Sequence, residues 1–131
     1  MDNKFTVFIL RGPSGSGKST LAKQFMDSGL CKYWVETDKF FYENGVYKFN
    51  PAKLGINHTL ALEQFRQCVL ANDGNIVQSN TNIKKDWYLK YAEFAKEHGF
   101  QVTEIIMGQQ FQNTHGVPAD KVKQMQANFE L

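Results

Sequence analysis

Gly12, Gly17, Lys18 and Ser19 stand at the spacing G-x-x-x-x-G-K-[ST], written in this chain as GPSGSGKS over residues 12–19. Each residue type has a physical reason to be there. Glycines at 15 and 17 let successive backbone N–H groups turn inward as a nest for phosphate oxygens. A helix starting near Lys18 adds about half a positive charge at its N-terminus. Lys18 is then placed to reach the β- and γ-phosphates of a nucleoside triphosphate, and the Ser19 hydroxyl to ligate Mg²⁺. The nucleotide-binding set predicted from the pattern is Gly12, Pro13, Ser14, Gly15, Ser16, Gly17, Lys18, Ser19 and Thr20. A lone carboxylate, Asp38, follows the apolar run KYWVE. There it is either a general base facing the γ-phosphate or an aspartate capping a helix.

Such a loop is usually served by an aspartate at the end of a further strand, which helps to hold the metal. In GNIVQSNTN, residues 74–82, that place reads Gln78, Ser79, Asn80. Because Mg²⁺ keeps several waters, Ser19 and two phosphate oxygens suffice as direct ligands. Asn80 and Asn82 would then position metal-bound waters or an acceptor through neutral hydrogen bonds.

The elements that must position these groups alternate. Residues 4–10 read as a buried strand and Lys18 to about Ser28 as a helix stopped by Gly29, with Leu21, Ala22, Phe25 and Met26 on one face. KYWVE (32–36) is a second strand, and Asn44-Gly45 signals a small hairpin within FFYENGVYKFN. Asn50-Pro51 opens a helical region to about Asn72, interrupted near Gly55. NIVQS (75–79) is a third strand, and Asn82 caps a helix from 83 to about 98 that ends at His98-Gly99. FQVTEII (100–106) is a fourth strand, and a last helix runs from about Pro118 to Phe129. Alternating strands and helices predict an α/β fold, a parallel sheet with helices on both faces, whose ligands bind beyond the carboxyl ends of the strands. The loop, Asp38 and residues 79–82 all fall at those ends.

Composition narrows the class further. The 131 residues read as one domain, 1–131, with 42% hydrophobic and 21% charged residues, the balance of an ordinary globular protein rather than a disordered one. A net charge of +2 neither demands nor excludes nucleic acid. No apolar run reaches the roughly 20 residues of a membrane span, and the N-terminal FTVFIL is too short for a signal-peptide core. Cys31 and Cys68, far apart in apolar surroundings, read as buried reduced thiols, which predicts a cytoplasmic location. Of 15 basic residues only Arg11 and Arg66 are arginines, so the usual clamp for a transferring phosphoryl group is scarce.

The blocks GPSGSGKSTLA, TDKFF, NGVYKFNPAKL with His58, NTN and NTHGVP occur in this order over residues 5 to 129. In that order the chain resembles P-loop kinases of the polynucleotide kinase-like group, which extends to zeta-toxin and AAA-type ATP-binding domains and includes bacteriophage polynucleotide 5′-hydroxyl kinase. The resemblance implies a P-loop fold with about four parallel strands in the order 2-3-1-4. It implies ATP and Mg²⁺ as cofactors and a hydroxyl of a nucleic acid or nucleotide as acceptor, in the host cytoplasm if the protein is phage-encoded. It implies Asp38 as general base and Lys18 as phosphate ligand. Nothing like a guanine-selecting motif stands in the chain, which favours ATP.

The same resemblance sets out the possible substrate or lid residues: Phe41, Tyr47, His58, Asn80, Asn82, Asn113, His115 and Lys121. Phe41, Tyr47 and Phe49 either stack on a nucleobase or pack a hairpin onto the sheet. His58 either meets substrate or is a hydrogen-bonded structural residue. The family commonly has aspartate at the position of Ser79 or Asn80 and arginine at that of Gln112. Here Lys121 and Lys123 either replace that arginine as point charges or form a solvated face. Two other readings stand beside the 5′-hydroxyl kinase: a kinase of a hydroxymethylated base in phage DNA, and a non-catalytic ATP-binding or interaction module.

Overall fold

The computed structural model describes residues 5–13 and 15–107. Four parallel strands form the central sheet: β1 (Thr6–Arg11), β2 (Tyr33–Val35), β5 (Ile76–Gln78) and β6 (Gln101–Ile106), in the order β2-β5-β1-β6. Counted among the sheet strands alone this is the order 2-3-1-4 expected of a P-loop fold. Val7 pairs with Ile76 on one side and with Val102 on the other, which puts β1 at the centre.

Alternation along β1 shows why the strand is apolar throughout. Val7 and Ile9 point into a core shared with α2 (Leu54–Ala71) and α3 (Lys85–Glu97), whereas Phe8 and Leu10 point into one shared with α1 (Lys18–Asp27). A parallel sheet covered on both faces needs apolar side chains at both parities. In the larger core Phe65 is fully buried and meets the Tyr91 ring edge-on at 4.9 Å between centroids. On α3 the buried positions Tyr88, Tyr91, Ala92 and Ala95 follow the three-and-four spacing of a one-sided helix. Cys68 belongs to this core and Cys31 to the one on the opposite face of the sheet.

The turns follow the sequence signals. Gly29 takes φ +82° just past α1, and Asn44 and Gly45 both have positive φ, as a two-residue hairpin between β3 (Tyr42–Glu43) and β4 (Val46–Tyr47) requires. The Asn50 side chain accepts the Ala52 N–H at the start of a 3₁₀ turn, Pro51–Lys53.

Two expectations are corrected. Gly55 does not interrupt the helix, because the 3₁₀ turn passes straight into α2 at Leu54 and the α-turns run on to Ala71. Asn82 does not cap α3, which begins three residues later with Lys84 at its N-cap and no side-chain cap. Asn82 itself sits at φ +52°, its amide turned back into the sheet. The helix expected over 118–129 lies outside the described residues.

Arg11 closes the structure under the site. Only 1% exposed, it donates from Nε to the Asn82 carbonyl at 2.9 Å and from Nη2 to that of Ile83 at 3.2 Å. Its Nη1 pairs with Glu104 at 3.2 Å, and the guanidinium lies over the Tyr88 ring. One cation thus fixes β1, β6, α3 and the loop after β5 together.

Candidate active site

The phosphate loop joins β1 to α1. Gly15 and Gly17 take φ +84° and +92°, the left-handed region where a side chain would be strained. Gly17 is the N-cap of α1 and brings no capping side chain, so the first-turn N–H groups face outward for an anion. Gly12 is required by space: a Cβ there would stand 2.6 Å from Ser16 Oγ and 3.2 Å from the Met107 carbonyl oxygen. Lys18 is buried, with Nζ donating to the Pro13 carbonyl at 3.0 Å. Burial lowers its pKa to about 8, against the opposing pull of Glu36 and Asp38. Ser16 Oγ is buried with no partner among the described residues. Thr20, one turn into the helix, is exposed, and Ser14 lies outside the described residues.

The carboxyl end of β2 faces this loop with two acids. Asp38, half-buried in the 3₁₀ turn Thr37–Phe41, exerts its charge on Lys18, Tyr47 and His58. It lies in that turn rather than capping a helix. Glu36, the residue directly after β2, is 8% exposed and accepts the Ser19 hydroxyl at 2.9 Å. Sequence reasoning passed over Glu36 as the last residue of a strand and sought the acid on β5. The available signal was that Glu36 and Asp38 stand two apart at a strand end, where alternate residues share a side.

The end of β5 is neutral and tightly bonded. Gln78 Oε1 accepts from the Asn80 N–H at 3.0 Å and from Asn82 Nδ2 at 2.6 Å. Ser79 Oγ accepts the Trp34 indole N–H at 2.7 Å. Asn82 is 1% exposed, and its amide nitrogen donates to Leu10, Gln78 and Asn80, while its Oδ1 and the Gln78 Nε2 are buried with no partner among the described residues. Asn80 reaches sideways: its Oδ1 accepts the Thr37 N–H at 2.7 Å, and its Nδ2 points to the Tyr91 hydroxyl.

Around the opening, His58 on α2 places Nδ1 3.1 Å from the Thr37 hydroxyl. Burial lowers its pKa, with Lys90 adding to that and Asp38 opposing it. Phe41 is 2% exposed, its ring packed against Phe49 and Tyr47, so it anchors the hairpin from beneath. Tyr47 is half-buried, and burial, with Asp38 next, pushes its hydroxyl up to about 12. The exposed aromatic faces are those of Tyr42 and Phe49. Neither arginine stands as a clamp here, since Arg11 is the strut described above and Arg66 pairs with Glu63 and lies over Phe94. Asn113, His115, Lys121, Lys123 and Gln112 lie outside the described residues.

Known proteins share this pattern. A model of the AAA domain family matches residues 7–131. An uncharacterized protein of Pasteurella multocida is 35% identical over 134 residues, covering 92% of this chain and 74% of that protein. NEDD4-binding protein 2 of Homo sapiens is 29% identical over 134 residues, covering 95% of this chain, which spans only 8% of the length of that relative. Among solved structures, the Pnkp1/Rnl/Hen1 RNA repair complex contains a chain that superposes with a TM-score of 0.66 at 17% identity, over 98% of this chain and 46% of that one. A gluconokinase from Sinorhizobium meliloti superposes with a TM-score of 0.60 at 15% identity, over 96% of this chain and 75% of that one. At such identities the likeness establishes the fold, that of the P-loop kinases. Among the described residues no helix is long and apolar enough to cross a membrane.

Proposed function

The chain belongs to the AAA domain family, and from that premise we propose that it is an ATP- and Mg²⁺-dependent phosphotransferase. Its acceptor is a hydroxyl of a nucleic acid or nucleotide, with a 5′-hydroxyl end as first choice. The observation that carries this reading is a buried Lys18, bonded to the Pro13 carbonyl within the phosphate loop, in a chain whose next sheet strand is followed, after Glu36, by the turn that carries Asp38. A carboxylate beside the phosphates repels them unless it serves the metal or takes a proton from an acceptor, and this reading gives Asp38 the second task.

In this reading the backbone of residues 12–17 and the first turn of α1 hold the triphosphate, and Lys18 exchanges its bond to Pro13 for phosphate oxygens. Ser16 Oγ fits an acceptor of the same kind, a phosphate oxygen. Mg²⁺, held through Ser19, would neutralise the charge that builds on the β- and γ-phosphates. Asp38 accepts the proton of the acceptor hydroxyl as that oxygen attacks phosphorus in line. The new O–P bond forms as the bond to the β-phosphate oxygen breaks. Tyr42 and Phe49, exposed on the hairpin side, are the rings free to stack on an acceptor base. The RNA repair complex among the structural neighbours supports a nucleic-acid end over a small sugar as the class to test first.

The test is transfer of label from γ-labelled ATP to a panel of 5′-hydroxyl DNA and RNA oligonucleotides, hydroxymethyluracil DNA and nucleosides. Transfer to a 5′ end, abolished by Lys18→Ala and by Asp38→Ala, supports the reading. Transfer to hydroxymethyluracil instead would make the chain a modified-base kinase. ATP binding without transfer to any acceptor would leave it a binding module.

A further inference from the structure

We propose that Glu36 is the acidic partner of the catalytic metal, and that it replaces, from the end of β2, the acid that the end of β5 lacks. The inference rests on the nucleotide-binding reading of the phosphate loop and deepens it. Its geometric basis is the Ser19 hydroxyl donating to Glu36 Oε1 at 2.9 Å. A serine that ligates Mg²⁺ does so through an oxygen lone pair, and its proton must point elsewhere. Glu36 accepts the hydrogen bond of that proton, which leaves the lone pairs of the Ser19 oxygen available to a cation. The same carboxylate, one residue past the strand, is then within reach of water molecules on the metal, which Mg²⁺ retains.

The surroundings support a charged role. Glu36 is 8% exposed, and a buried carboxylate requires compensation. Its charge is felt by Lys18 and by Lys39, and Ser19 supplies a hydrogen bond. When a nucleotide draws Lys18 to its phosphates, part of that compensation is withdrawn from Glu36. A divalent cation between Ser19, Glu36 and the phosphate oxygens restores it. The alternatives at the strand ends do not fit this task. Gln78 Oε1 holds Asn82, Ser79 holds Trp34, and Asn80 holds Thr37. The Asn82 Oδ1, buried with no partner among the described residues, is a neutral oxygen that brings no charge to a metal. Asp38, in the turn Thr37–Phe41, is the acid that the proposed reaction reserves for the acceptor hydroxyl.

The experiment compares ATP binding by calorimetry, with Mg²⁺ and with EDTA, in the unaltered chain and in Glu36→Gln. The glutamine keeps an oxygen to accept from Ser19 and removes only the charge. Expected is a Mg²⁺-dependent gain in affinity in the unaltered chain that falls by about 10–100-fold in Glu36→Gln, the usual range for a partner of a metal ligand. Affinity with EDTA should be equal or higher in the variant, since a negative charge near the phosphates is gone. Mn²⁺ with ATP, followed by the electron spin resonance of the ion, should show the same loss, with Glu36→Asp intermediate. An undiminished metal-dependent gain in Glu36→Gln overturns the inference and leaves the kinase reading standing. A gain lost in Asp38→Asn but not in Glu36→Gln moves the metal to Asp38 and overturns it equally. Absence of ATP binding by the unaltered chain under both conditions overturns the nucleotide reading and this inference with it.

Discussion

Asn80 Oδ1 accepts the backbone N–H of Thr37 at 2.7 Å, so the end of β5 holds the residue that precedes Asp38. The Thr37 hydroxyl in turn meets His58 Nδ1 at 3.1 Å. The acid proposed as base is therefore held from two elements through its neighbour Thr37.

Asn80→Ala removes the acceptor and leaves the N–H of the buried Thr37 unsatisfied. The expected cost is about 1–3 kcal/mol in stability, read by urea unfolding. Turnover should fall mainly in kcat, with KM for ATP little changed, since the phosphate loop is untouched. Asn80→Asp keeps an oxygen toward Thr37 and should recover most of the stability. If Asn80→Ala left kcat unaltered, Thr37 would not be the link through which Asp38 is placed.

Asp38→Asn should lower turnover by about 10²–10⁴-fold, the usual contribution of general acid–base catalysis. ATP affinity should hold or improve, because one carboxylate no longer repels the phosphates across Lys18. Calorimetry with ATP beside the label-transfer assay separates the two effects. Weaker binding together with slower transfer would assign Asp38 to nucleotide binding rather than to the acceptor.

How much of this was legible in the sequence differs from residue to residue. The phosphate loop and the alternation of parallel strands with helices were legible because each depends on a local pattern: glycines at fixed spacing, and apolar runs alternating with one-sided helices. The order β2-β5-β1-β6 is a tertiary pairing that only the family resemblance supplied. The role of Asn82 was not legible. Asn before a helix reads as a cap, and only the tertiary placement of β1 offers its amide the Leu10 carbonyl at 2.7 Å. Glu36 was hidden for a related reason. Its meaning depends on Ser19, 17 residues earlier, coming opposite it when α1 folds against β2. Phe41 and Tyr42 are adjacent and both aromatic, yet Phe41, closing the 3₁₀ turn, is buried against Tyr47 and Phe49 while Tyr42, opening β3, is exposed, a difference set by tertiary packing.

Lys18 gives a pH dependence of defined sign. Burial lowers its pKa to about 8, while the unfolded chain keeps the ordinary value of 10.5. Between these values the unfolded state binds more protons, so this group makes the nucleotide-free protein more stable as pH rises through that window. ATP binding runs the other way. Phosphates need the ammonium form, so affinity should fall above pH 8, and binding at pH 8 should take up roughly half a proton. Calorimetry in buffers of different ionisation enthalpy measures that uptake. Lys18→Met should raise the stability of the nucleotide-free protein at pH 7 by about 1–3 kcal/mol while abolishing ATP binding. Zero proton uptake at pH 8 would place the Lys18 ammonium in a far more polar setting than its 7% exposure implies.

Arg11 should prove structural. Its guanidinium bonds two carbonyls and Glu104 and covers Tyr88, so no flat, five-donor group of another kind can replace it. Arg11→Met leaves the carbonyls of Asn82 and Ile83 without these donors and Glu104 without its cation. The expected loss is about 1–3 kcal/mol, the range for leaving buried acceptors without a donor, since Glu104 is 44% exposed and stays solvated. Arg11→Lys should recover only a minor part, because one ammonium cannot meet three acceptors set around a planar fork. If Arg11 instead clamped the phosphoryl group, Arg11→Lys would be stable and slow. The structural role predicts the reverse order: a chain that unfolds early in urea, with near-normal turnover per folded molecule when assayed well below its midpoint.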